Sequence, residues 1–464
     1  MLSQSTGRPF LRSWGGFLCL LWSPLSLVLA ATIPNSHSSL YNSDLDSRTL
    51  ARVRERLDSV ARDVWVSGTQ TEAYLELDHP QLTVFNPFAE SSRNWGILES
   101  SFPNSSNRIV LNWLERLGPD DKQFAVIKGG AAGDPASLGY AWMIAQATTR
   151  DERTQERLER MIEAEVEWLL EKVPRTTDGA ISHRKEVTQL WSDFIYMVPP
   201  FLAARGIATS NHSLLLESYR QIKLYRSHLQ DPSTHLWRHV RYGSWEDPSL
   251  WATGNAWAAA GITRVLATLT NSFHAETYSH EIRDLALWAN EIVEAGFARV
   301  KKDGLLPNHL DDPYDFSDSA SSALLASTTF RLHQLGMIRK PSTTLATAEK
   351  IRSKINDKID PKTGWLRGCV VSTSSRTRTR ECLYYYFWLR THSFFHFPTC
   401  YQNPLSWYQR TDQSPEAQAF VILLEAAWRD SRMKRERNSI ASKEKGFGSQ
   451  GTKHPSQRQV SKGQ

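Results

Sequence analysis

Leu190-Trp191-Ser192-Asp193-Phe194-Ile195-Tyr196-Met197 is an aromatic, apolar run interrupted by one carboxylate, and the rest of the chain is best read outward from it. Set at about 100° per residue, Asp193 shares an arc with Leu190, Phe194, Met197 and Phe201, the arc that a helix turns inward. A buried helix carrying one acid is the expectation. Two roles for that acid stay open. Burial disfavours the charged form and raises the pKa, giving a general acid that keeps its proton near neutral pH. Equally, Asp193 fits an N-cap that accepts backbone N–H groups of the helix after it.

The helical period continues on both sides. Leu50, Val53, Leu57, Val60 and Val64 form one stripe; Leu158, Ile162, Val166 and Leu169/Leu170 form another in a run dense in Glu and Arg. Further helices are expected over 106–117, 136–149, 188–206, 211–229, 252–270, 276–297, 318–336, 342–357 and 414–429, eleven or twelve in all, with few convincing strands. Paired helices joined by loops rich in Trp, His, Asp and Gly predict a toroid of helical hairpins, one domain over about 45–430. No phosphate loop, HExxH, CxxC pair or GxSxG is present, and Gly129-Gly130-Ala131-Ala132-Gly133 reads as a turn before a helix.

The ends differ from this body. Arg8 and Arg12 precede an apolar run from Phe17 to Leu29, and Val28-Leu29-Ala30 fits a cleavage site, so residues 1–30 are expected to be a secretory signal peptide. A membrane anchor fits less well, since Pro24 interrupts a run shorter than the ~20 residues a spanning helix needs. Sequons at Asn104 and Asn211 suit a secreted glycoprotein. Residues 431–464 hold nine Lys/Arg against two Glu, a net +7 within a whole-chain +6, so the remainder sums to −1 and a nucleic-acid partner is not expected. The 431–464 tail, poor in aromatic residues, is expected to be disordered. Of four cysteines, Cys19 leaves with the signal peptide and Cys369, Cys382 and Cys400 fall within 32 residues of one another. An odd number in a secreted chain is unusual.

Four segments concentrate candidate chemistry: Gly133-Asp134-Pro135-Ala136-Ser137-Leu138-Gly139, Ile181-Ser182-His183-Arg184, the Asp193 run, and His235 to His239 leading into Leu250-Trp251-Ala252-Thr253-Gly254-Asn255-Ala256-Trp257. Singly, each has a plain reading: Asp134 as a cap, His183 and His239 as satisfied loop histidines, Trp251 and Trp257 as core. Jointly, two carboxyls in different environments allow an acid and a base, and loop aromatics among the 17 Trp suit sugar rings. No metal is expected at these segments.

Trp191-x-Asp193-x-x-x-Met197 and Trp251-Ala252-x-Gly254-Asn255-x-Trp257 resemble motifs of the unsaturated glycuronyl hydrolases, in particular the unsaturated rhamnogalacturonyl hydrolases of glycoside hydrolase family 105 and their relatives in family 88. The resemblance spans about 90–367 and 403–430. It implies an all-α (α/α)6 barrel of six helical hairpins and hydration of the C4=C5 double bond that a lyase leaves at the non-reducing end of pectic or glycosaminoglycan fragments. An aspartic acid protonates C4, water adds at C5, and the hemiketal opens to release the sugar. Carried over, Asp193 is the acid/base, Asp134 the second carboxylate, and His183, Arg184, His239, Trp251, Thr253, Asn255 and Trp257 bind substrate. The implied partner is an oligosaccharide, with no cofactor, no membrane after signal cleavage, and a monomeric chain.

Two departures qualify this. Thr253 and Ala256 stand where the family has Arg and Gly, and Thr cannot grip a carboxylate bidentately. Residues 368–402, with Arg-Thr-Arg-Thr-Arg, Tyr384-Tyr385-Tyr386-Phe387-Trp388 and every mature cysteine, interrupt the expected passage into the last helix. They read as an unspliced intron or as a surface insertion with a disulfide. Besides the hydratase, an inverting hydrolase on saturated glycans and a catalytically degenerate carbohydrate-binding protein remain open.

Overall fold

The structure, a computed structural model, describes residues 45–86, 104–117, 131–272, 275–371 and 409–448. The expected signal peptide, most of the 368–402 insertion with Cys382 and Cys400, and residues 449–464 lie outside them. Six helical hairpins follow in order: α1 (Ser47–Val60) and α2 (Val64–Asp78), α3 (Asn104–Leu117) and α4 (Gly139–Thr148), α5 (Glu152–Glu167) and α6 (Phe194–Ala208), α7 (His212–Leu229) and α8 (Ala252–Thr270), α9 (Ser279–Phe297) and α10 (Ser319–Leu335), α11 (Pro341–Lys358) and α12 (Pro415–Gly448). The second helix of each hairpin is inner. α6 packs on α8, α8 on α10, α10 on α12, and α12 closes the ring on α2, which meets α4 and the turn before it. The fold is the expected all-α (α/α)6 barrel.

Outer helices are amphipathic, and α1, α5 and α7 are capped by side chains. Asp46 accepts from Arg48 and Thr49 at α1, Asp151 from Thr154 at α5, and the exposed Asn211 from Ser213 and Leu214 at α7. The inner helices α2, α6, α8 and α10 are buried almost all round, which small residues permit. An added Cβ at Gly261 of α8 would collide with Ile195 O of α6.

The structure corrects several expectations. The stripe from Leu50 to Val64 breaks at residues 61–63, and α2 is a helix that the period did not mark. Its Thr69, Gln70, Thr71, Glu72 and Glu76 are as buried as its apolar residues, so no polar face alternates with an apolar one. The helix expected over 188–206 starts at Phe194, because Leu190–Trp191 form strand β1. The tail from 431 is not wholly disordered: α12 runs on to Gly448. Lys434 Nζ donates to the carbonyls of His333 and Gln334, and Arg435 pairs with Glu349 at 2.7 Å, fastening the helix beyond the expected end. The insertion also starts later than 368. Cys369 and Val370 belong to the core, in β5 (Cys369–Val371), which pairs antiparallel with β6 (Gln409–Thr411). Cys369 is buried and has no disulfide partner among the described residues.

Among the described residues, the loops that lead into α4, α6, α8, α10 and α12 are stitched edge to edge. Ala131 bridges Arg184; β1 pairs with β2 (Val240–Arg241); Trp251 bridges His309; β3 (Leu306–Pro307) pairs with β4 (Ser317–Asp318); and Ser319 N donates to Gly368 O. The starts of these inner helices thereby face one mouth.

Candidate active site

Asp193 stands at the N-cap position of α6 without capping it: its backbone is helical and its carboxylate accepts from no N–H of the first turn. Its side chain turns instead to Ser192 Oγ at 3.1 Å and His239 Nε2 at 3.4 Å. What holds α6 there is close packing, since an added Cβ at Gly254, at the start of α8, would strike Ser192 Oγ.

His239 comes from the loop before α8. Its Nδ1 lies 2.9 Å from Asp247 Oδ2, and its ring sits between Trp251, tilted with centroids 4.6 Å apart, and Trp191, edge-on at 5.3 Å. His183 comes from the loop before α6, buried and stacked on Trp191 at 5.0 Å. Its Nε2 is 3.8 Å from Asp134 Oδ1, and its Nδ1 has no hydrogen-bond partner among the described residues. Asp134 opens the 3-10 turn that leads into α4. Arg184 follows His183, half-buried and without an ion pair among the described residues, where its charge reaches Asp134 and His183.

The electrostatics reverse one expectation. Burial alone would raise Asp193, but the hydrogen bond and charge of His239, with a smaller contribution from His183, hold its carboxyl below the usual range. The carboxyl that keeps its proton is Asp134, pushed up to about 7 by burial and then by the Asp193 charge, against the weaker pull of Arg184 and Lys185. Burial opposes charge on His239 too, yet the two flanking carboxylates raise it to about 9. His183, desolvated and unsupported, falls to about 3 and is neutral. Below about pH 7 the cluster thus holds one neutral carboxyl, one carboxylate, one imidazolium and one imidazole.

Of the nine residues marked in the sequence, Asp193, Asp134, His183, Arg184, His239 and Trp251 come together. Asn255 is not available to a ligand: its amide clamps Trp237 through N and O and also donates to Trp251 O. Trp257 points into the barrel, against Tyr196 at 4.4 Å and Phe420 at 4.8 Å. Thr253 is buried and donates to Asp318 Oδ2 at 3.1 Å. Residues not singled out are Asp247, Trp191 and Asp318. Trp191 lay inside the quoted motif; Asp247, in Trp245-Glu246-Asp247-Pro248, carries no mark that separates it from other loop acids.

Comparison with known proteins gives the same picture. The family described as Glycosyl Hydrolase Family 88 matches residues 121–386. The chain is 26% identical over 204 residues to unsaturated rhamnogalacturonyl hydrolase YesR of Bacillus subtilis (strain 168), covering 41% of this chain and 55% of that protein, so it spans about half the length of this curated relative. Among solved structures, it resembles a possible member of the GH105 family from Klebsiella pneumoniae (TM-score 0.60, 18% identity, 87% of this chain and 96% of that one). It also resembles one from Salmonella enterica (TM-score 0.59, 18% identity, 86% and 99%). These structural likenesses speak to the fold.

Proposed function

As this chain belongs to glycosyl hydrolase family 88, we propose that it is a glycoside hydrolase that adds water across the C4=C5 double bond of an unsaturated uronyl residue ending an oligosaccharide. Rhamnogalacturonan fragments of pectin are the favoured substrate class, following the name of the curated relative. The observation that carries the proposal is two half-buried carboxyls in one aromatic-walled cluster, Asp134 beside neutral His183 and Asp193 beside His239, whose surroundings move their pKa values in opposite directions. Hydration needs one proton delivered to C4 and one removed from the water that attacks C5. A pair that holds one proton between two carboxyls supplies both. Asp134, which holds the proton at rest, delivers it to C4, and Asp193, ionised at rest, takes one from the water that attacks C5, so each turnover draws one proton from the pair and returns one from water. The hemiketal at C5 then opens and the sugar leaves.

Neutral His183 serves the substrate's hydroxyls and Trp191 its ring face. Arg184 is the cation open to the uronyl carboxylate, since α8 offers Thr253, whose hydroxyl is spent on Asp318. Secretion after cleavage near Ala30, with glycans on the exposed Asn104 and Asn211, completes the proposal.

Lyase-generated fragments test it. Their enol-ether absorbance in the ultraviolet should disappear with wild type, and Asp193→Asn or Asp134→Asn should lose about 10²–10⁴-fold in rate. The rate should fall as pH rises through about 7, where Asp134 loses its proton, and fall again in acid, where Asp193 gains one below the usual carboxylate range. Binding without turnover anywhere between about pH 4 and 8 would instead indicate a degenerate binding protein.

A further inference from the structure

The ring of His239 is bracketed by acids on both nitrogens: Asp247 Oδ2 at 2.9 Å from Nδ1 and Asp193 Oδ2 at 3.4 Å from Nε2. A neutral imidazole carries one N–H and can donate to only one of them; with both acids ionised, both contacts are attractive only when both nitrogens are protonated. Asp247 is itself built in place. Its backbone N and O pair with Val240 beside β2, its Oδ1 accepts from Ser249 N at 3.1 Å, and its side chain is 6% exposed. The Trp191 and Trp251 rings fix the imidazole plane between the acids.

We propose that Asp247 is a positioning residue for the reaction: acting through His239, it keeps the imidazole doubly protonated and oriented, and so holds Asp193 ionised while the site's proton stays on Asp134. No covalent step is involved; Asp247 touches neither substrate nor reacting atom. The titratable and charged groups around this relay are His183 and Arg184 from the loop before α6, Asp134 and more distantly Lys185 and Asp63 around it, and Asp193 at the start of α6. Burial would discharge His239 and the two acids oppose that, consistent with the geometry. The inference rests on the proposed acid–base pair for its consequence, but not for its test.

The test is nitrogen-15 NMR of the imidazoles in the full chain, with His239→Gln assigning the signal. Wild type should show two N–H groups on His239 at pH 7.5 and titrate near 9. In Asp247→Asn the midpoint should drop by about 1–3 units, and Asp247→Glu should restore most of the shift. The acid limb of the pH–rate profile on unsaturated disaccharide should move upward in Asp247→Asn as Asp193 becomes easier to protonate. A single N–H on wild-type His239 at pH 7.5 overturns the inference without need of any variant, as does an unmoved midpoint in a folded Asp247→Asn. The predicted midpoints in a protein that turns over no unsaturated sugar would uphold the relay and refute the proposed function instead.

Discussion

Asp193 sits where a cap belongs and does something else. The N-terminus of α6 keeps its acid near the positive end of the helix dipole, which favours the ionised form, while the oxygens face His239 and Ser192. Arg184 is the other residue whose partners decide its role. Because Thr253 replaces an arginine and is tied to Asp318, Arg184→Ala should raise KM for unsaturated uronyl substrates about ten- to a hundredfold, the worth of a charged hydrogen bond, with kcat changed much less. Steady-state kinetics decide this, and an unchanged KM would assign the carboxylate to another group. Much of this site was legible in the sequence because its residues sit at loop–helix junctions in an otherwise apolar context. Asn255 and Trp257 share the motif of Trp251 but face the backbone and the core, a difference of side-chain direction that spacing does not record. The protonation order of Asp193 and Asp134 was not legible either, since it depends on His239, which is brought to Asp193 only by the pairing of β1 with β2.

At the scale of elements, α2 and α8 are both buried on every side, so neither has a polar face; α8 is marked by its run of Ala and Leu over 252–270, whereas α2 mixes Ser, Thr, Gln and Glu into its buried surface. The β5–β6 hairpin makes a separate point. Val371 and Gln409 are directly paired, so their Cα atoms stand about 4.5–5.5 Å apart, close enough for a two-residue turn. Replacing residues 372–408 by Asn-Gly should therefore give a chain that folds with the same helix content. It should gain about 2–3 kcal/mol from shorter loop closure. Circular dichroism with thermal melting measures both, and a shortened chain that fails to fold would show that the segment belongs to the barrel.

At the scale of the molecule, the inner helices α4, α6, α8, α10 and α12 deliver their first residues to one mouth, and the stitched loops between them carry nearly all the chemistry. The barrel supplies burial, and burial together with a fixed imidazolium separates two identical carboxyls into an acid and a base. That the target is an enol-ether double bond rather than a glycosidic bond is the central claim, and the most direct test is product analysis in heavy water. Lyase-generated unsaturated disaccharide, turned over in D2O by the wild-type chain, should yield a product with deuterium on C4 and no double bond, while its saturated counterpart stays intact. A product that keeps the C4=C5 double bond and gains solvent oxygen at C1 would contradict the account.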